Sequence, residues 1–139
     1  AEGGDRTFAL PSKQKELITK VISKTTTPIV GVVTAGGNVE MQSWIRHLDG
    51  LLWAWYPGQE GGTALGEILF GDINPSGKLP VTFEKRWADN PTYNSYYDSD
   101  NDKHVEFTEG IFMGYRGYEK RYNILLGMGS PIRHLICHR

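Results

Sequence analysis

Cysteine is almost missing from this 139-residue chain: Cys137 stands alone, which rules out an internal disulfide and leaves the redox compartment open. Charge of one sign is missing too. Fifteen basic residues face sixteen acidic ones, so nothing steers the chain toward nucleic acid or an anionic membrane. No apolar run approaches the length needed to span a bilayer. The opening AEGGDRTFALP has neither the basic region nor the apolar core of a signal peptide. That leaves location open, since such a chain can begin inside a longer one. Also lacking are a GxSxG nucleophile elbow, the Gly-Lys-Ser/Thr ending of a phosphate loop and the spacing of a dinucleotide fingerprint. No His/Cys/carboxylate cluster has metal-ligand spacing. No cofactor and no metal are therefore expected.

Glycine, proline and aromatics, by contrast, are well supplied. The stretch Trp53 to Phe83, WAWYPGQEGGTALGEILFGDINPSGKLPVTF, places its glycines and prolines at the boundaries of apolar segments. Leu51 to Tyr56 reads as a strand that stops at Pro57-Gly58. Gly61 to Phe70 reads as a helix with Ala64, Leu65, Ile68 and Leu69 on one face, stopping at Gly71. The turn Asn74-Pro75-Ser76-Gly77 then feeds a strand from Leu79 to Phe83. Upstream, Ser12 can cap a helix from Lys13 to about Lys24 with Leu17, Ile18, Val21 and Ile22 as its apolar stripe. Ile29 to Val33 does not alternate, so it is expected to be a central strand buried on both faces. Gly36-Gly37 ends that strand at its carboxyl end, where open α/β sheets place binding sites. Val39 to His47 is expected to be helical with Met41, Trp44 and Ile45 inward. Strands alternating with helices argue for an α/β layered sandwich. Glu84 to Lys103 lacks periodicity and reads as a long surface loop. GIFMGYRGY reads as a strand followed by a turn.

Few residues stand out for chemistry. Glu2, Asp5 and Arg6 lie in EGGDR, where glycines let a carboxylate project into a cleft as a general acid must; a solvated tail is the plainer reading. Pro57 to Gly62 sits where phosphate loops sit, but Glu60 would repel a phosphate, and a tight turn with close helix–sheet packing fits better. Asp98, Asp100, Asp102 and Glu109 match positions of a calcium loop, yet Lys103 stands where that loop needs glycine. A solvated acidic loop is preferred. His104 reads as exposed, and His47 as a complement to a helix end. Four Trp, seven Tyr and five Phe suit a protein that stacks on sugars, although filling a core is the commoner use.

Taken together, EGGDRTFALP, WYPGQEGGTALGEILFGDINPSGKLPVTF and EGIFMGYRGYEK resemble glycoside hydrolase family 3, in its carboxyl-side domain, from Glu2 to about Lys120. Phe107 departs mildly, standing where the family often has Tyr. The resemblance implies a partial three-layer (α/β)6 sandwich over residues 1–122. It also implies a fragment of a retaining, exo-acting β-glycosidase that removes terminal non-reducing β-D-glucosyl residues from an oligosaccharide or β-glucoside. β-Xylosidase or exo-β-glucanase activity, or a non-catalytic carbohydrate-binding or scaffold module of the same fold, stay open. By the family's E-G-x-D-R pattern Glu2 is the general acid/base, with Asp5 and Arg6 ordering its loop. The aspartate nucleophile belongs to an N-terminal (β/α)8 barrel that is not here, so the fragment alone is expected to be inactive. Neither nucleic acid nor membrane is implied as a partner, and an extracellular or periplasmic location would suit polysaccharide degradation.

Residues 123–139 do not match. The family continues toward YPFGYGLSYTTF, whereas this chain reads NILLGMGSPIRHLICHR. One choice of codons for the family motif, read one base later, spells Ile124 to His134 and then a codon beginning TT, consistent with Leu135. The tail is therefore expected to be a frameshifted reading, in which Cys137, His134 and His138 carry no evolved function.

Overall fold

The computed structural model describes residues 6–118 and the backbone of 122–124. These fall into two compact units, one within residues 1–78 and one within 79–128. No helix among the described residues is long and apolar enough to cross a membrane.

In the first unit, helix α1 (Ser12–Lys24) begins directly after Pro11, whose carbonyl accepts from the Gln14 and Lys15 N–H groups at 3.0 and 3.1 Å. Ser12 is thus the first helical residue and not the expected cap. Proline fixes its own φ near −53° and so sets the entry without a side-chain bond. Thr25, extended at φ −126° and ψ 144°, ends the helix at the β-branched run. The apolar stripe is present, but no residue of α1 is buried, and Leu17 is 62% exposed.

Strand β1 (Val30–Val33) pairs in parallel with β2 (Gly50–Trp53), Val30 opposite Gly50 and Val33 opposite Trp53. Asp49 fixes the register by accepting the Ile29 N–H at 2.7 Å and donating its own N–H to the Ile29 carbonyl at 2.8 Å. β1 alternates between exposed and half-buried positions, so it is not sealed on both faces as expected. Among the described residues it pairs with β2 alone. The core of the unit is Val39, Met41, Trp44, Ile45 and Leu51.

The inward residues of the 39–47 segment are thus the expected ones, but its conformation is not. It runs irregularly into a 3₁₀ turn at Ile45–His47. The Glu40 carboxylate accepts from the Ser43 N–H at 3.0 Å and from the Ser43 hydroxyl at 2.9 Å, and the Trp44 indole donates to the Glu40 carbonyl at 2.8 Å. Local side-chain bonds of this kind offer the backbone an alternative to the helical ladder. Helix α2 (Gly61–Phe70) has the expected bounds and stops at Gly71, left-handed at φ +87°. A left-handed residue at this position is the commonest helix stop, and glycine adopts it without a Cβ clash.

In the second unit, β3 (Phe83–Glu84) pairs antiparallel with β4 (Tyr122–Ile124). The strand expected from Leu79 starts only at Phe83, which is fully buried. Trp87–Asp89 forms a 3₁₀ turn held by Arg86 and Asp89. GIFMGYRGY is two 3₁₀ turns, Gly110–Phe112 and Gly114–Gly117, and not a strand. Gly110 and Gly114 take φ +53° and +61°, which breaks the extended run that the apolar residues suggested.

Candidate functional site

The carboxyl ends of β1 and β2 gather the first unit's chemistry-bearing groups. Beyond β1 the chain passes through Thr34, Ala35 and the pair Gly36-Gly37. Arg6 reaches this turn and donates from its guanidinium to the Asn38 carbonyl. A methyl group placed on Gly37 would lie 3.3 Å from the Arg6 guanidinium, so the glycine leaves room for it. Glu2 and Asp5, the other members of EGGDR, lie outside the described residues. Arg6 alone of the three can be located, tied to the end of β1.

Beyond β2 the aromatic run turns sharply at Trp55, which has φ +51°. Trp53 donates its indole N–H to the Ala35 carbonyl at 3.3 Å. Its ring meets that of Trp55 edge-on, with centroids 6.0 Å apart. Tyr56 is 78% exposed, and a methyl on Gly36 would lie 2.7 Å from its hydroxyl oxygen and 2.8 Å from Cε2. The tyrosine therefore rests on bare backbone. Sequence reasoning passes over this placement, because Tyr56 reads there as the last residue of a strand.

Pro57 to Gly62 is a turn into α2. A Cβ on Gly61 would fall 2.7 Å from the Pro57 ring, and the Ala64 N–H bonds to the Glu60 carbonyl at 3.0 Å. Glu60 also accepts from the Thr63 hydroxyl at 3.3 Å. A carboxylate at this helix start complements the dipole and disfavours an anion there. A groove of about 680 Å³ runs between α1 and β1, lined by residues including Leu17, Ile18, Val21, Ile22 and Val32, with Arg6 among them.

In the second unit Asp98, Asp100 and Asp102 hold their carboxylates within 4.8 Å of one another; Glu109 is not of the group. Loop geometry accounts for the cluster. Asp98 accepts the N–H groups of Asp102 at 3.1 Å and Lys103 at 2.8 Å, while Asp102 accepts that of His104 at 2.8 Å. Desolvation pushes the Asp98 carboxyl up, but hydrogen bonds from Lys103, Asp100, Asn101 and Asp102 together hold it below its ordinary value. Lys103 takes φ +68°, the left-handed conformation that a calcium loop gives to glycine. No α-helix flanks the loop among the described residues.

A buried polar knot in the same unit has no counterpart in the sequence reading. Asn90 donates to the Glu84 carboxylate at 3.4 Å and to the Tyr118 hydroxyl at 3.3 Å. Glu84 and Tyr118 are each 5% exposed. Burial first, and then the Glu84 charge and hydrogen bond, push the Tyr118 phenol up to about 12. Beside it, the Arg86 guanidinium bonds the buried Asp89 carboxylate at 2.6 Å. No spacing rule links positions so far apart in the chain, so only the fold reveals them.

Residues 1–115 match the glycosyl hydrolase family 3 C-terminal domain. A β-glucosidase of Rhizobium radiobacter is 44% identical over 115 residues, which is 81% of this chain and 14% of the relative. The thermostable β-glucosidase B of Acetivibrio thermocellus is 40% identical over 122 residues, 87% of this chain and 16% of the relative. Among solved structures, a family 3 β-glucosidase of Bifidobacterium adolescentis superposes with a TM-score of 0.83 at 35% identity, covering 94% of this chain and 20% of that one. The chain thus spans about one-seventh of the length of the curated relatives it matches.

Proposed function

The chain belongs to the C-terminal domain of glycosyl hydrolase family 3, and from that premise we propose that it is the part of a β-glucosidase that supplies the general acid/base, Glu2. The reaction is the retaining hydrolysis of terminal non-reducing β-D-glucosyl residues. The observation that carries the reading is the anchoring of Arg6, the last residue of the EGGDR motif, at the carboxyl end of β1, the end of the sheet where α/β proteins bind ligands. The relatives' names supply the sugar.

The chemistry asks for two carboxyl groups roughly 5–5.5 Å apart. Glu2, protonated, gives its proton to the glycosidic oxygen as the bond to the anomeric carbon breaks. A carboxylate from another domain forms the glycosyl ester at that carbon. Glu2, now a carboxylate, takes a proton from water as the water oxygen attacks, releasing glucose and restoring both groups. Asp5 and Arg6 hold the loop that carries Glu2. Because the nucleophile comes from elsewhere, the 139-residue chain by itself hydrolyses no β-glucoside.

The test is a chimera in which this segment replaces the matching stretch of about 115 residues in the Rhizobium radiobacter β-glucosidase. Glu2→Gln in the chimera lowers cellobiose hydrolysis by about 10²–10⁴-fold. Azide restores turnover of a dinitrophenyl glucoside, yielding β-glucosyl azide. Unchanged cellobiose hydrolysis by the Glu2→Gln chimera would refute the assignment, and so would turnover by the isolated chain.

A further inference from the structure

The aromatic end of β2 has a placement that neither core packing nor turn geometry explains. Tyr56 is 78% exposed although it continues an apolar run. It lies against Gly36, where the absence of a side chain allows its hydroxyl oxygen within 2.7 Å, and its ring edge within 2.8–3.1 Å, of the Cβ position. The residue before it, Trp55, is bulky and yet held left-handed at φ +51°. A large side chain in that region costs roughly 1–2 kcal/mol, and such strain concentrates at ligand-binding positions. Gly37, next to the tyrosine's seat, carries the Arg6 guanidinium bound to the Asn38 carbonyl. An exposed aromatic ring and a fixed cation therefore occupy successive residues of one turn, at the carboxyl ends of parallel strands.

We propose that Tyr56, seated on Gly36 beside Arg6, is a stacking platform for the leaving-group pyranose of a β-glucoside. This rests on the reading of Glu2 as the acid that protonates that same leaving group. β-D-Glucopyranose has all its hydroxyls equatorial, so both ring faces present C–H groups that an aromatic face can cover, while the hydroxyls at the rim seek donors such as Arg6. Trp53 and Trp55, just before it in the chain, pack edge-to-face with each other.

The test is saturation-transfer NMR on the 139-residue chain, with methyl β-D-glucopyranoside and cellobiose as probes. Saturation passes from the aromatic protons to the pyranose C–H protons. Tyr56→Ala weakens binding by roughly 2- to 10-fold, the range of one aromatic-face contact, and Tyr56→Phe keeps it, since the face is what binds. The signal is read without turnover. The platform can therefore stand where the acid/base assignment falls, and the reverse. In the chimera, Tyr56→Ala lowers kcat/KM for cellobiose by the same factor but not that for β-glucosyl fluoride, which has no leaving sugar. No transfer to either probe, transfer equal in wild type and Tyr56→Ala, or an equal loss on both substrates overturns the proposal.

Discussion

Raising the pH through the alkaline range should loosen the second unit through one residue, Tyr118. Its hydroxyl is bonded by Asn90 and faces the buried Glu84 carboxylate. Burial and that negative neighbour both disfavour a phenolate, so the phenol titrates at about 12 in the folded chain against an ordinary 10.0. A group whose folded pKa is raised contributes its full stability below the unfolded pKa and loses it as pH climbs through the folded one. The contribution is therefore intact at neutral pH and declines between about pH 10 and pH 12. The interval corresponds to on the order of 2–3 kcal/mol, a sizeable fraction of the stability of a small domain. Lysines titrate in the same range, so Tyr118→Phe serves as the reference. The tyrosinate difference absorbance between wild type and variant isolates one phenol out of seven tyrosines. Denaturant titrations at several alkaline pH values should show a steeper loss for wild type than for Tyr118→Phe. A difference spectrum with its midpoint near 10, or parallel stability curves for the two proteins, would refute the account.

Two glycine substitutions test packing at one place and backbone conformation at another. Gly117→Ala puts a methyl 2.5 Å from the Phe112 carbonyl oxygen and 2.6 Å from the Pro91 ring. Neither neighbour is flexible, so a loss of about 1–3 kcal/mol is expected from denaturant unfolding; a neutral result would mean the 110–117 turns are not packed this way. Gly71→Ala meets nothing within 4 Å but forces a Cβ onto φ +87°. It should cost about 1–2 kcal/mol through the backbone alone, and Gly71→Asn should cost less than Gly71→Ala in the same measurement.

How far the sequence foretells this fold depends on whether a residue's partner is local. α2 has its expected bounds because its stop is set by one residue, Gly71, within hydrogen-bond reach of the helix it ends. The parallel pairing of β1 and β2 was legible from apolar runs separated by a chain long enough to cross over. The 39–47 segment misled because Met41, Trp44 and Ile45 are inward at helical spacing, while Glu40 satisfies Ser43 by side-chain bonds that periodicity does not register. GIFMGYRGY misled for the complementary reason: its apolar residues suggested a strand, but two of its glycines take positive φ. At the candidate site, Arg6 was legible as part of a motif, whereas its acceptor, Asn38, lies 32 residues away. The Glu84–Asn90–Tyr118 knot was invisible because nothing in VTFE marks that glutamate as a residue destined for burial.

The Trp53 to Phe83 block can now be divided by what each part touches. From Pro57 onward its constraints are internal to the turn and helix: Gly61 against the Pro57 ring, Glu60 bonded to Thr63, Gly71 ending α2. Every one of these would be needed by any protein making the same strand-to-helix connection, with or without a substrate. Trp53 and Tyr56 instead reach across to the end of the neighbouring strand, at Ala35 and Gly36, and Tyr56 is left 78% exposed there. Architecture alone would be served as well by a small polar residue at position 56, since an exposed aromatic stabilises little. The turn into α2 and the stop at Gly71 are thus accounted for by local contacts and the seat of Tyr56 on the neighbouring strand end is not, and Arg6 lies at the turn that Tyr56 contacts.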